Sequence, residues 1–132
     1  MADLDTIQNS LQGVLINKIE LDFRITLVFE EFGSLALSCP FEITLTDETV
    51  KIVDPEGSKS ELAPALEVVN TTIKDISISS EGVVLRTSNG MKIRTYSDPQ
   101  FESWVLNLDG PEGVLIIGLP DGEIGIWGPN AT

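Results

Sequence analysis

The chain has 132 residues, with 21 acidic and 8 basic side chains, a net charge of −13 and a sequence pI near 4.1. That length is usual for one domain, so 1–132 is read as a single unit. An excess of acid this large repels nucleic acid and anionic membrane, so neither is an expected partner. The chain contains no histidine and one cysteine, Cys39. Those counts exclude Ser-His-Asp and Cys-His nucleophile systems, an internal disulfide, paired-thiol redox chemistry and the common zinc sites. Cys39 itself reads as a small core residue.

At the N-terminus, acids stand where a secretion signal needs a basic start, and no apolar run approaches a bilayer span. A cytoplasmic location is expected. Leu4, Ile7 and Leu11 recur at helical steps, which predicts a short helix over Asp3–Gln12 stopped by Gly13. Strands follow at Val14–Leu21 and Phe23–Phe29, which alternate or run apolar with many β-branched residues, and at Leu35–Ser38. Glu30-Glu31-Phe32-Gly33 makes the turn before the third of them.

Phe41–Leu45 and Val50–Val53 form the next hairpin, and Asp54-Pro55-Glu56-Gly57 is a strong turn. Ser58 and Glu61 have capping-box spacing, with Leu62, Leu66 and Val69 at helical steps, which predicts a helix of two to three turns over Ser60–Val69. The strand pattern then resumes at Thr72–Ser79, Val83–Thr87 and Met91–Tyr96, the last two joined by an Asn89-Gly90 hairpin turn. Phe101–Leu108, Val114–Leu119 and Glu123–Trp127 close the chain, with turns at Asp109–Gly113 and Pro120–Gly122.

An offset of 57 residues pairs Ile16, Ile19, Leu21 and Gly33 with Ile73, Ile76, Ile78 and Gly90. Beyond the glycines an offset of 56 pairs Leu35 and Leu37 with Met91 and Ile93. Two related β-meander halves, 14–45 and 71–107, are one explanation, and hydrophobic alternation alone is the other. Either gives a mainly β, single-domain antiparallel sandwich or partly open barrel of about ten short strands, with one or two short helices.

The segments Phe101-Glu102-Ser103-Trp104 and Leu119-Pro120-Asp121-Gly122-Glu123-Ile124-Gly125-Ile126-Trp127 resemble the closing signature of a family of small, uncharacterised bacterial proteins. That signature is an aromatic-Glu-x-Trp segment, a Pro-Gly-Gly turn and a final apolar-x-Trp. Leu11-x-Gly13, Cys39-Pro40-Phe41 and Ser88-Asn89-Gly90 extend the resemblance over most of the chain, and Asp121 departs from it where Gly is usual. The resemblance carries no activity. Some small bacterial domains of this kind sit in toxin–immunity loci.

Candidate binding residues follow from charge and aromaticity. Glu102 and Trp104 lie two apart, and Trp127 ends the neighbouring hairpin, so two indoles and one carboxylate could converge, with Tyr96, Asp98 and Phe101 as a rim. The plainer alternative has both tryptophans filling the core and Glu102 accepting a hydrogen bond. Asp121, Glu123, Glu30 and Glu31 are candidates for an acidic docking face. No catalytic, cofactor or metal residue is assigned; carboxylate pairs such as Asp98 with Glu102, or Glu102 with Glu123, leave glycoside hydrolysis as a minor alternative. The expected function is a non-enzymatic acidic module that binds a basic protein, of immunity or inhibitor type. A small-ligand β-barrel with a mouth near Glu102 and a structural homo-oligomer are the alternatives.

Overall fold

The computed structural model describes residues 4–109 and 113–128. Among those residues the chain is mainly β, with eleven antiparallel strands in one open sheet and two short helices. Helix α1 covers Leu4–Ser10; strands β1 to β5 cover Leu15–Leu21, Ile25–Phe29, Gly33–Leu37, Phe41–Thr44 and Val50–Val53. A 3-10 turn at Lys59–Leu62 leads into α2, Ala63–Leu66. Strands β6 to β11 cover Thr71–Ser79, Gly82–Thr87, Lys92–Arg94, Trp104–Leu108, Val114–Gly118 and Ile124–Trp127. The turn expected at Asp109–Gly113 falls on 110–112, outside the described residues, as does the first residue of the expected N-terminal helix.

Strand order across the sheet is β11-β10-β9-β3-β2-β1-β6-β7-β8-β4-β5. The order is a palindrome about the β1–β6 junction, apart from β11. Each half begins with a three-stranded meander, β1-β2-β3 or β6-β7-β8. The hairpin that follows each meander in sequence then crosses over and pairs with the other meander: β4 on β8, and β9 on β3. The junction itself is short, pairing Leu15 with Thr72 and Ile16 with Thr71. Beyond it β1 leaves β6, and the two half-sheets bend over a shared apolar interior.

Hydrogen bonding at the junction repeats at a spacing of 57 residues. Gly13 N–H donates to Ile73 O, and Asn70 N–H donates to Ile16 O, each at 2.7 Å. Val14 N–H donates to Leu11 O, as Thr71 N–H does to Val68 O, each at 3.2 Å. Gly13 and Asn70 both hold positive φ, 82° and 69°. A left-handed residue here ends the helix and turns the chain into the strand. Both first strands also carry a bulge, at Asn17 and at Lys74, so Ile16 and Ile19, like Ile73 and Ile76, face inward although three residues apart.

The third strands correspond differently from expectation. Leu27 pairs with Leu35, and Leu85 with Ile93, so the spacing there is 58 and Leu35 matches Ile93 rather than Met91. The extra residue lies in the β6–β7 turn, where four residues separate Ile78 from Val83 against three between Leu21 and Ile25.

The interior is built from cross-strand rows. In the first half Ile19, Leu27, Leu35, Leu106, Ile116 and Ile126 stand side by side. Ile76, Leu85, Ile93 and Ile43 form the equivalent row in the second half. Each fully buried side chain of these rows contributes about 1.5–3 kcal/mol by leaving water, and the partly buried Ile19 and Ile126 contribute less. Ile7, Leu11, Leu62, Ala65 and Val68 from the helical segments join the same cluster.

Three local expectations are corrected. Ser58 makes no capping bond to the helix, and its hydroxyl meets that of Ser60 at 3.2 Å. The second helix is one α-turn after a 3-10 turn, because Pro64 has no N–H to continue a longer one and Asn70 turns left-handed beyond it. At the β7–β8 turn only Gly90 has positive φ, so the turn is not the two-residue type the Asn-Gly pair suggests.

Candidate functional site

The C-terminal ends of β3, β5 and β8 feed three loops that meet at one end of the sheet. Cys39 lies in the β3–β4 loop, and its thiol donates to Glu102 O at 3.8 Å. Ser38 N–H donates to Ser103 O at 3.0 Å, and Ser103 N–H to Gly118 O at 3.0 Å, tying the 96–103 loop to β10. Asp121 N–H donates to Asp98 O at 3.0 Å, which brings in the β10–β11 turn. Asp121 itself holds a left-handed φ of 63°.

Burial pushes the Cys39 thiol above its ordinary pKa, and the charges of Asp98, Glu56 and Asp54 push it further. Asp98 belongs to the loop between β8 and β9, and Glu56 and Asp54 to the loop after β5. Each of those loops is shaped by its own aspartate. Asp98 Oδ1 accepts the N–H groups of Gln100 and Phe101 at 2.8 and 3.0 Å, and Asp54 Oδ1 accepts Glu56 N–H at 3.0 Å. Cys39 is therefore a half-exposed loop residue rather than the core residue expected, because Pro40 turns the chain out of β3 before β4 begins.

The candidate residues separate into four places. Glu102, Asp121 and Glu123 are exposed at this loop end. Glu30 and Glu31 are exposed at the opposite end, in the β2–β3 turn beside Asp109, whose N–H donates to Phe32 O at 2.8 Å. The length of β3, about 13 Å at the usual strand rise, lies between the two groups. Trp104 is 1% exposed and belongs to the core. Trp127 is 50% exposed and stands on the outer face.

The two indoles and Glu102 therefore do not converge. Trp104 is paired with Gly118, and Trp127 with Leu115, three residues apart on one strand and so on opposite faces. Each ring lies on a glycine: Trp104 against Gly118, Trp127 against Gly125. Neither position has room for a Cβ. The reading that both tryptophans fill the core holds for Trp104 only. Glu102 offers its backbone carbonyl, and its carboxylate has no hydrogen-bond partner among the described residues.

Sequence reasoning assigned the rim residues Tyr96, Asp98 and Phe101 to a pocket. Asp98 and Phe101 instead border the open loop end, where Phe101 is 64% exposed, while Tyr96 lines a groove on the outer face. A large aromatic displayed beside Asp98 and Glu102 is the feature the sequence left understated; its signal was the Asp98-Pro99 turn immediately before it.

Elsewhere, the outer face of the second half holds a groove of about 480 Å³ lined by Ser77, Ser79, Val84, Arg94, Tyr96 and Ser97. The described strands form an open sheet that does not close into a barrel. Among the described residues no three acidic or cysteine side chains gather as metal ligands, and no helix is long and apolar enough to cross a membrane.

A family model described as a family of unknown function, DUF6188, matches residues 7–128. The chain belongs to that family. No curated protein and no solved structure matches it. The family match spans both halves of the palindromic sheet and every element of the acidic loop end.

Proposed function

We propose that this DUF6188 member is a non-enzymatic protein-binding module of the bacterial cytoplasm, of immunity or inhibitor type, which masks a basic surface of its partner. The observation that carries the reading is the loop end itself, where the Cys39 thiol donates to Glu102 O, Asp121 N–H donates to Asp98 O, and Glu102, Asp121 and Phe101 are exposed together. Like charges held together in loops raise the local negative potential, which accelerates encounter with a cationic surface. Phe101 supplies what charge alone lacks, an apolar anchor that a partner pocket can desolvate. Glu30 and Glu31 stand at the opposite end of β3, away from Phe101, so the acidic candidates at the loop end take the role.

The test is capture from native lysate and from the products of adjacent genes, washed across ~50 to ~500 mM salt. The bait is run beside an unrelated domain of equal charge and beside an Asp98→Asn, Glu102→Gln, Asp121→Asn variant. The expected result is one stoichiometric basic protein, lost at high salt and lost with the variant. Equal retention by the equal-charge control would defeat the proposal.

A second reading, a small polar ligand, is favoured by the groove that sets Arg94 and Tyr96 among the hydroxyls of Ser77, Ser79 and Ser97. Native mass spectrometry of the purified protein separates the two readings, since only this one expects a co-purifying small molecule.

A further inference from the structure

The palindromic sheet is uneven at its ends. Val50 and Ile52 of β5 correspond to Leu115 and Ile117 of β10, because Thr44 and Glu42 pair with them as Asn107 and Val105 do in the other half. In β10 those two residues pair with Trp127 and Gly125 of β11. In β5 nothing among the described residues covers them: Val50 is 52% and Ile52 65% exposed. Hydrogen-bond alternation gives the same answer. Leu45 N–H donates to Thr49 O, so Lys51 and Val53 turn their backbone groups toward β4, while Val50 and Ile52 turn theirs outward.

We propose that the free edge of β5 receives an extended strand from a protein partner, in the position that β11 fills on β10. The proposal deepens the basic-partner reading and rests on it. Asp47 and Glu48 precede β5, and Asp54 and Glu56 follow it, all four exposed. The fitting segment alternates apolar residues against Val50 and Ile52 and carries lysine or arginine on both flanks. A second copy of this chain does not fit. The antiparallel register that engages Val50 and Ile52 of both copies sets Lys51 against Lys51 and Glu48 against Asp54, like charges directly opposed.

The probe is a fluorescein-labelled synthetic peptide of alternating valine and threonine between lysine pairs, titrated into the full chain by anisotropy. Ile52→Pro removes an outward N–H without breaking the β4 ladder, which proline tolerates on an edge. The expected result is salt-sensitive binding, at least tenfold weaker with Ile52→Pro, and slowed amide exchange at Val50 and Ile52 in the unmodified protein. The exchange measurement stands even if the proline variant fails to fold. Equal binding by a same-charge peptide with its apolar residues out of alternation, or binding without protection of Val50 and Ile52, would overturn strand addition and leave the acidic reading intact. A glutamine-flanked peptide that binds as tightly would support the strand site and count against the basic partner. A concentration-dependent dimer abolished by Ile52→Pro would overturn the choice of occupant.

Discussion

Trp104 lies flat against Gly118 inside the sheet, and a methyl group on Gly118 would overlap the indole. Trp104 is fully enclosed and cannot yield, so Gly118→Ala is expected to cost about 1–3 kcal/mol by overpacking. Gly125 carries Trp127 in the same way, but on the outer face, where the half-exposed ring can swing into solvent. Gly125→Ala should change stability by less than about 0.5 kcal/mol. Urea denaturation of the two variants makes the comparison, and equal costs would mean that both rings are confined.

Gly13 and Asn70 test the correspondence between the halves. Nothing lies within 4 Å of where a Cβ on Gly13 would stand, so its substitution is governed by φ alone. Gly13→Ala should cost about 1–2 kcal/mol, the penalty of a left-handed alanine. Gly13→Asn should be milder, since Asn70 holds that conformation at the matching position and asparagine tolerates it. Thermal denaturation of both variants checks the order.

Cys39 reports on the acidic loop end. Its raised pKa, caused by burial first and by Asp98, Glu56 and Asp54 after it, means a smaller thiolate fraction at a given pH than an ordinary cysteine has. Alkylation by iodoacetamide at pH 8 should be slower than for a free thiol and should catch up as pH rises. Asp98→Asn should speed it at low salt. A rate unchanged by Asp98→Asn would place that carboxylate away from the sulfur.

Much of the fold was legible because alternation, turn residues and β-branched runs act locally. Val50–Val53 is found as expected, and most other strands end within a residue or two of where the pattern puts them. The crossing of β4 onto β8 and of β9 onto β3 was not legible, since strands in either order bury the same side chains. Nor were the bulges at Asn17 and Lys74, which depend on pairing rather than on residue type. Trp127 was legible in part: Ile124 and Ile126 take the inner face, so period two puts the indole outside, and only its size argued for the core. The acidic end was visible as charge but not as a place, because Asp98 and Asp121 are brought together by long-range pairing.

Phe101 should behave as a binding residue and not a structural one. Phe101→Ala is expected to leave stability within about 0.5 kcal/mol and to weaken the partner complex by about 2 kcal/mol, near thirtyfold. Denaturation and calorimetric titration with the captured partner, run on the same preparations, read the two effects separately.

The most direct test is a map of backbone amide shifts on adding the captured basic partner to the isotope-labelled chain. The account predicts a footprint on Val50–Gly57, Ser97–Glu102 and Pro120–Glu123, shrinking as salt rises. A footprint centred on Glu30–Phe32, or one indifferent to salt, would contradict it.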